Sequence, residues 1–195
     1  MQYDIDRYMC ELDRLSQHRR VHSLNVSKEA ARLAARYGAD VKKARIAGLL
    51  HDITKETPPE EQLKIITDGG IILTDVERAS SKLWHAISGS VYLRDVLSFD
   101  DADILNAVRY HTTGRAGMSL LEKVIFVADF TSAERDYEDI DVIRRYADRS
   151  LDQGAFYGLR FTLSRLSGRG SPISPDALSA YNEIALSLLE GEDTI

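Results

Sequence analysis

Apolar residues return every three or four positions along almost the whole of this chain, as in Val21, Leu24, Ala30, Leu33, Ala34 and Tyr37. That is the spacing of one face of a helix. No segment alternates apolar and polar residues for long enough to predict a strand, so the predicted fold class is all-α. Gly38 ends the first clear helix and Asp40 caps the next, which carries Ala44, Ala47 and Leu50 inward as far as His51. Thr57-Pro58-Pro59-Glu60 reads as a cap followed by proline in a first turn, so the preceding helix must stop before it. Asp68-Gly69-Gly70 breaks the next one. Further helices are predicted over 74–83, 85–97, 101–111, 119–131, 141–149, 151–167 and 175–190, the last opened by Ser174-Pro175.

There is no internal repeat, low-complexity tract or linker long enough to divide the chain. The expectation is one domain over 1–195, with a motif-bearing core at about 18–135 and C-terminal helices over 141–190 packed on it. Ser167 to Pro175, rich in Gly, Ser and Pro, is the one expected mobile loop and a candidate pocket flap.

Charge narrows the partners. A formal net charge of -6 and a pI near 5.4 argue against broad binding to a nucleic-acid polymer, which needs a basic face. A small phosphorylated ligand needs only a local basic pocket. The single cysteine, Cys10, excludes an internal disulfide, fits a reducing compartment and is expected to be a small buried apolar residue. No stretch approaches the roughly 18 apolar residues of a membrane helix, and Met1 to Leu15 is acidic and amphipathic, so a cytoplasmic location is expected.

Four of the five histidines, with two aspartates, form an ordered series: His22, adjacent His51 and Asp52, His85, His111 and Asp129. Imidazole nitrogen beside carboxylate oxygen suits a divalent first-row metal better than magnesium or calcium. Asp52 follows the apolar run Ala47 to Leu50, and Asp129 follows Val124 to Ala128. A carboxylate buried after such a run needs a cation. Neighbours on a helix diverge by about 100°, so His51 and Asp52 can reach one ion only at a relaxed helix end. His18 and His22, four apart, could chelate an ion by themselves. His85 and His111 fit either a second metal or contact with substrate phosphate, and phosphate contact is the favoured expectation. His111-Thr112-Thr113-Gly114 can offer hydroxyls and backbone amides to an anion. Arg19, Lys55 and Arg135 lie three or six residues from these positions and are expected in the same cleft, because an acidic protein must concentrate its positive charge locally. Arg109 and Arg115 are weaker candidates. Tyr157, Arg160, Ile173, Tyr181 and Asn182 suit a base pocket and core packing equally well.

The order H...HD...D resembles the HD superfamily of metal-dependent phosphohydrolases. The words Arg19-Arg20-Val21-His22, Ala47-Gly48-Leu49-Leu50-His51-Asp52-Ile53-Thr54-Lys55, Tyr110-His111-Thr112-Thr113-Gly114 and Glu122 to Asp129 together resemble its bacterial YqeK-type symmetrical diadenosine tetraphosphate hydrolases. The resemblance runs from about Arg19 to Arg135 and continues to Tyr181-Asn182. Phe130 to Arg135 departs from the commoner tyrosine-and-glutamate wording after Asp129, which bears on the shape of the pocket. The resemblance implies an HD-domain helical bundle and hydrolysis of diadenosine tetraphosphate to two ADP. It implies metal ligation by His22, His51, Asp52 and Asp129 and assigns no role to His18, which is expected to be solvent-side. The expected ion is iron, with manganese or cobalt as alternatives, in one or two copies. Asp52, Lys55, His85 and His111 are the expected catalytic set; Arg19, Lys55, His85, His111, Thr112, Thr113 and Arg135 are expected to bind substrate. The expected partner is a dinucleoside polyphosphate or other small nucleotide, and a homodimer is left open. Rival readings are another HD nucleotide phosphohydrolase, such as a nucleotidase or cyclic nucleotide phosphodiesterase, and a metal- and nucleotide-binding sensor without turnover. No GxSxG, GxxxxGK[ST] or GxGxxG word competes.

Overall fold

The computed structural model describes residues 5–192, so the outermost parts of the expected 1–195 domain, 1–4 and 193–195, lie outside it. A short helix α1 (Ile5–Met9) and a 3-10 turn (Cys10–Arg14) lead into α2 (Gln17–Tyr37), α3 (Val41–Leu50) and α4 (Pro59–Asp68). Then follow α5 (Asp75–Ala79), a 3-10 turn (Ser81–Leu83), α6 (Trp84–Asp95) and α7 (Ala102–Tyr110). The chain continues through α8 (Leu120–Thr131), α9 (Ile140–Arg149), α10 (Leu151–Gly168) and α11 (Pro175–Glu192). There is no strand among the described residues, and no helix there is long and apolar enough to cross a membrane.

The helix ends follow from their caps. Asp40 accepts from the amides of Lys42 and Lys43 at 2.8 and 3.1 Å, and Gly38 closes α2 in the left-handed region at φ 81°. Ser119 and Glu122 form a capping box that starts α8. Three expectations change. The helix predicted over 74–83 breaks at Ser80, where the Trp84 indole donates to the Glu77 carbonyl at 2.7 Å and takes a place near the break. Thr57 does not cap α4: Pro58 is the cap residue and contributes no side-chain bond, while the Thr57 carbonyl accepts from Gln62 at 2.7 Å. Cys10 is exposed, because it falls on the 3-10 turn, where its thiol reaches only the Arg7 carbonyl.

The core is built where α2, α3, α7 and α8 meet, through fully buried Leu33, Ile46, Leu49, Leu50, Ile104, Ile125 and Phe126. Helix α6 packs on α4 and α7, and α10 packs on α8, α9 and α11. The crossing of α2 and α3 is tight because Gly48 has no Cβ: one built there would lie 2.9 Å from Ser27 Cα. These contacts draw the second turn of α2, the C-terminal ends of α3, α7 and α8, and the first turn of α6 toward one point.

Candidate metal centre and substrate cleft

That point holds all six residues of the ordered His-Asp series. His22 comes from α2, while His51 closes α3 in helical geometry (φ -55°, ψ -36°). The chain then tightens into turns in which Ile53 N bonds Leu50 O and Lys55 N bonds Asp52 O. This tightening turns two sequence neighbours toward one centre. His111 closes α7 in the same manner, and Gly114, at φ 64°, bonds back to Tyr110 O at 2.7 Å. Thr54 Oγ1 donates to the His85 carbonyl at 2.8 Å and so pins the start of α6.

His22 Nε2 lies 3.2 Å from His51 Nε2, 3.1 Å from Asp129 Oδ1 and 3.6 Å from Asp52 Oδ2. The other carboxylate oxygen, Asp52 Oδ1, lies 3.2 Å from His85 Nε2 and 3.6 Å from His111 Nε2, which are themselves 3.1 Å apart. His22, His51, Asp52, His85 and His111 are each at most 3% exposed, so water does not screen them. Asp129 is half-buried rather than buried as its apolar run suggested, being the third residue from the end of α8.

Hydrogen bonds on the far side of each ring fix the tautomers. His51 Nδ1–H donates to Gly48 O at 2.8 Å and His111 Nδ1–H to Val108 O at 2.7 Å; His22 Nδ1–H donates to the Glu134 carboxylate. Each Nε2 therefore presents a lone pair inward. His22 and His51 thus aim two lone pairs at each other, and Asp52 Oδ1 is buried without a hydrogen-bond partner. An arrangement of acceptors without donors is costly unless a cation lies among them. The donor set fits a divalent ion, in two groups, His22-His51-Asp129 and His51-Asp52-His111.

The protonation states of His51 and His85 agree with this, and that of His22 departs from it. Burial, with the neighbouring His111 and His22, drives His51 down to about 3 against the pull of Asp52, and burial lowers His85 to about 4. For His22 burial acts downward, but Asp129 and Glu134 outweigh it and raise the ring. Burial would raise both aspartates. His51, His111, His85 and Lys55 hold Asp52 well below the usual carboxylate range, and His22 with Arg135 does the same for Asp129.

The expected cationic residues surround the cluster. Arg19 donates to Asp52 Oδ2 at 2.5 Å, and its buried Nε has no partner. Lys55 Nζ lies 3.0 Å from His85 Nε2 and 3.7 Å from Asp52 Oδ1, and burial lowers its pKa. Arg135 bonds both the carboxylate and, at 2.7 Å, the carbonyl of Asp129. Thr112 Oγ1 is 3.3 Å from His85 Nε2, and with Thr113 it lines a cavity of about 440 Å³. The same cavity is bordered by Arg169, Ser171 and Pro172 of the segment expected to form a flap.

Other candidates are not brought here. His18 is exposed, as read from the sequence. Arg109 pairs with Glu77, and Arg115 with Glu122 at 2.7 Å. Of the two roles left open for the C-terminal rings, the contacts show packing: Tyr157 stacks on Tyr146 and Tyr181 on Phe156. Sequence reasoning missed Glu134, which holds His22 and is itself bonded by Ser132 Oγ at 2.7 Å. Its signal was present in Phe130 to Arg135, where a glutamate stands five residues past Asp129.

The HD domain pattern matches residues 19–134, the stretch that carries every member of the cluster. A Bacillus subtilis protein named symmetrical bis(5'-nucleosyl)-tetraphosphatase is 38% identical over 89% of this chain and 92% of its own length. A Halalkalibacterium halodurans protein of the same name is 36% identical over 88% and 91%. A crystal structure from Clostridium acetobutylicum, of a "predicted HD superfamily hydrolase involved in NAD metabolism", superposes with a TM-score of 0.91 at 36% identity, covering 94% of this chain and 98% of that one. An HD domain implies a divalent metal, and the buried acceptors described above are the place for it. With its ordered His-Asp series converged on one buried centre and these likenesses running over most of its length, this chain belongs to the HD domain family, among the relatives named symmetrical bis(5'-nucleosyl)-tetraphosphatase.

Proposed function

We infer that this chain is a metal-dependent phosphoanhydride hydrolase that splits diadenosine tetraphosphate at its middle, one water adding across the central bridge to give two ADP. The observation that carries the reading is the two-sided setting of Asp52. One of its oxygens faces His22 and His51, while the other faces His85 and His111. The names borne by the relatives supply the substrate. The described residues act as a single domain, cytoplasmic in location.

In this reading His22, His51, Asp52 and Asp129 would hold one divalent ion, and Asp52, His85 and His111 would hold a second. Ligation replaces phosphate contact as the favoured role of His111, because its Nδ1–H already serves Val108 O and its Nε2 is an acceptor. The ion is iron, with manganese or cobalt as the alternatives from the same donor class; the set holds no thiolate, since Cys10 is exposed on its 3-10 turn. Such ions, when bound, supply Lewis acidity and a water that ionises near neutral pH. Asp52 would orient a water there. The Lys55 ammonium, the unpartnered Arg19 Nε and the Thr112 hydroxyl donate to phosphate oxygens, and Arg135 holds Asp129 in place beside them. Burial of His51, Asp52, His85 and His111 keeps bulk water out of the centre that these donors face.

The test is chromatography of the products after the metal-loaded protein has acted on diadenosine tetraphosphate, other dinucleotides including NAD, mononucleotides and cyclic nucleotides. ADP as the sole nucleotide product is the expected result. Equal ATP and AMP, or turnover of another substrate class alone, would sink it.

A further inference from the structure

We propose that Arg144 is a positioning residue for the metal centre, acting from α9 through Ser132 and Glu134 on the ring of His22. This rests on metal binding at the cluster and not on the choice of substrate. Arg144 forms no bond with any member of the cluster, and it stands outside the motif-bearing stretch expected at about 18–135.

The need for such a residue begins at the end of α8. The last carbonyls of a helix have no partner within it. Many helices satisfy them in a glycine turn, but after Thr131 this chain runs directly into extended backbone at Ser132 (φ -53°, ψ 155°). Thr131 and Ser132 are buried, so water cannot serve their carbonyls. Arg144, in the second turn of α9, does so: its Nε–H donates to Thr131 O at 3.2 Å and its Nη2–H to Ser132 O at 2.9 Å. One planar guanidinium thereby fixes two successive peptide groups, which the single ammonium of a lysine cannot do. Its ion pair is secondary, because Asp141 stands 3.7 Å away with a side chain open to water.

What Arg144 holds leads inward. The Ser132 carbonyl also accepts from the amide of Arg135 at 3.1 Å, and Arg135 is the residue that bonds Asp129. The Ser132 hydroxyl donates to Glu134 Oε1 at 2.7 Å, the same oxygen that accepts from His22 Nδ1. The supports of two metal-binding side chains thus meet at the residue whose carbonyl Arg144 fixes. Between Ser132 and Glu134, Ala133 is exposed and borders a cleft of about 630 Å³. The stretch therefore has open space on one side, and hydrogen bonds rather than packed neighbours set where Glu134 stands. It is also the stretch in which the chain departs from the commoner wording after Asp129, so the pairing of Ser132 with Glu134 belongs to this chain's own sequence.

The test replaces Arg144 by methionine, which removes both bonds and keeps much of the side-chain length, and by lysine, which can keep one. Cobalt(II) titrated into the metal-free protein gives a visible spectrum that reports the geometry of the ligands, and chelator competition gives the affinity. Loss of a group that orients a metal ligand costs about 10–100-fold in affinity; Arg144 acts one bond further out, so Arg144→Met should cost about ten-fold and shift the cobalt bands. Arg144→Lys should fall between it and the wild type. Arg36→Met is the control, because Arg36 likewise donates to a carbonyl of α9, Asp148 O, at 3.0 and 2.5 Å but lies off this route. It should leave the bands in place and the affinity within about two-fold of wild type. In a Glu134→Gln background Arg144→Met should add no more than about two-fold, since the two residues act in series. Wild-type affinity and bands in both Arg144 variants, an equal loss in Arg36→Met, or a further loss of about ten-fold on top of Glu134→Gln overturns the proposal. Should Arg144→Met lack the helical circular dichroism of the wild type, Arg144→Lys decides by the same measures. A wild type that binds no cobalt removes the metal centre and the role of Arg144 together. Metal binding that depends on Arg144, without cleavage of diadenosine tetraphosphate to ADP, removes the substrate reading and leaves the proposal standing.

Discussion

Replacing Gly48 by alanine tests how far the metal centre depends on a helix crossing remote from any charge. The added Cβ would sit 2.9 Å from Ser27 Cα and 3.1 Å from both Ser27 N and Val26 O. These are backbone atoms of α2, which cannot rotate away. Ordinary carbon contacts lie at about 3.5–4.0 Å, so α2 and α3 must part by roughly 0.6–1 Å. Overpacking of this kind costs about 1–3 kcal/mol, and the better helix propensity of alanine returns about 0.8–1 kcal/mol. The net loss is about 0–2 kcal/mol, or up to roughly 8 °C in Tm for a chain of this size. The metal centre is the more sensitive reporter. His22 stands on α2 and His51 ends α3, with their Nε2 atoms 3.2 Å apart, and metal distances tolerate only about 0.2 Å. Gly48→Ala should therefore weaken metal affinity by about 10–100-fold, the range seen when ligand support is disturbed, while the fold persists. Chelator competition measures the affinity, and urea denaturation of the metal-free protein measures the stability. A variant about 1 kcal/mol more stable than wild type, as propensity alone requires, with metal affinity unchanged, would refute the close-contact reasoning.

Glu134→Gln keeps the size of the side chain that holds His22 Nδ1 but removes its charge; metal affinity should fall by about 10–100-fold, and equal affinity in competition titrations would remove Glu134 from the site. His111→Ala should cost one of two bound ions by elemental analysis as well as turnover, whereas full metal with a depressed rate would return His111 to phosphate contact. His51→Ala or Asp52→Ala should abolish turnover and metal binding with the helical circular dichroism retained; an unaltered rate in Asp52→Ala would place the site elsewhere. Glu77 tests acid stability away from the metal: burial would raise its pKa, but its bonds to Thr74 and Arg109 hold it below the usual 4.5. A depressed carboxylate stabilises the fold fully above about 4.5 and loses that contribution as pH falls through its folded value. The stability deficit of Glu77→Gln relative to wild type should thus be larger at neutral pH than near pH 3, and a deficit independent of pH in denaturation curves would contradict the assignment.

Much of the architecture was legible because it is local. The spacing of apolar residues, Asp40, Ser119 and Gly38 at helix ends, and the prolines opening α4 and α11 act within a turn or two, so α2, α3 and α7 through α11 fall close to their predicted limits. Two misses lie on short elements, α5 and the first 3-10 turn. The indole of Trp84 reaches the Glu77 carbonyl at the end of α5, beside the break at Ser80. Cys10 lies exposed on a 3-10 turn that its apolar character did not anticipate. For Tyr157 and Tyr181, where the sequence left base pocket and core packing open, the rings stack on neighbouring aromatic residues.

For the site, the sequence by itself determined which groups could bind a metal, since residue type fixes the donor atoms and His51-Asp52 at a helix end fixes their closeness. It also determined that cations would attend them, through Arg19, Lys55 and Arg135. Tertiary structure alone decided how the donors divide. Residues as far apart in the chain as His22 and Glu134 meet because α2 and α8 pack together, and that bond sets which nitrogen of His22 faces inward. The same packing turns one oxygen of Asp52 toward His22 and His51 and the other toward His85 and His111. A one-dimensional pattern holds no record of such orientation, because it arises from rigid helices meeting at angles set by side chains elsewhere, among them the absent one at Gly48.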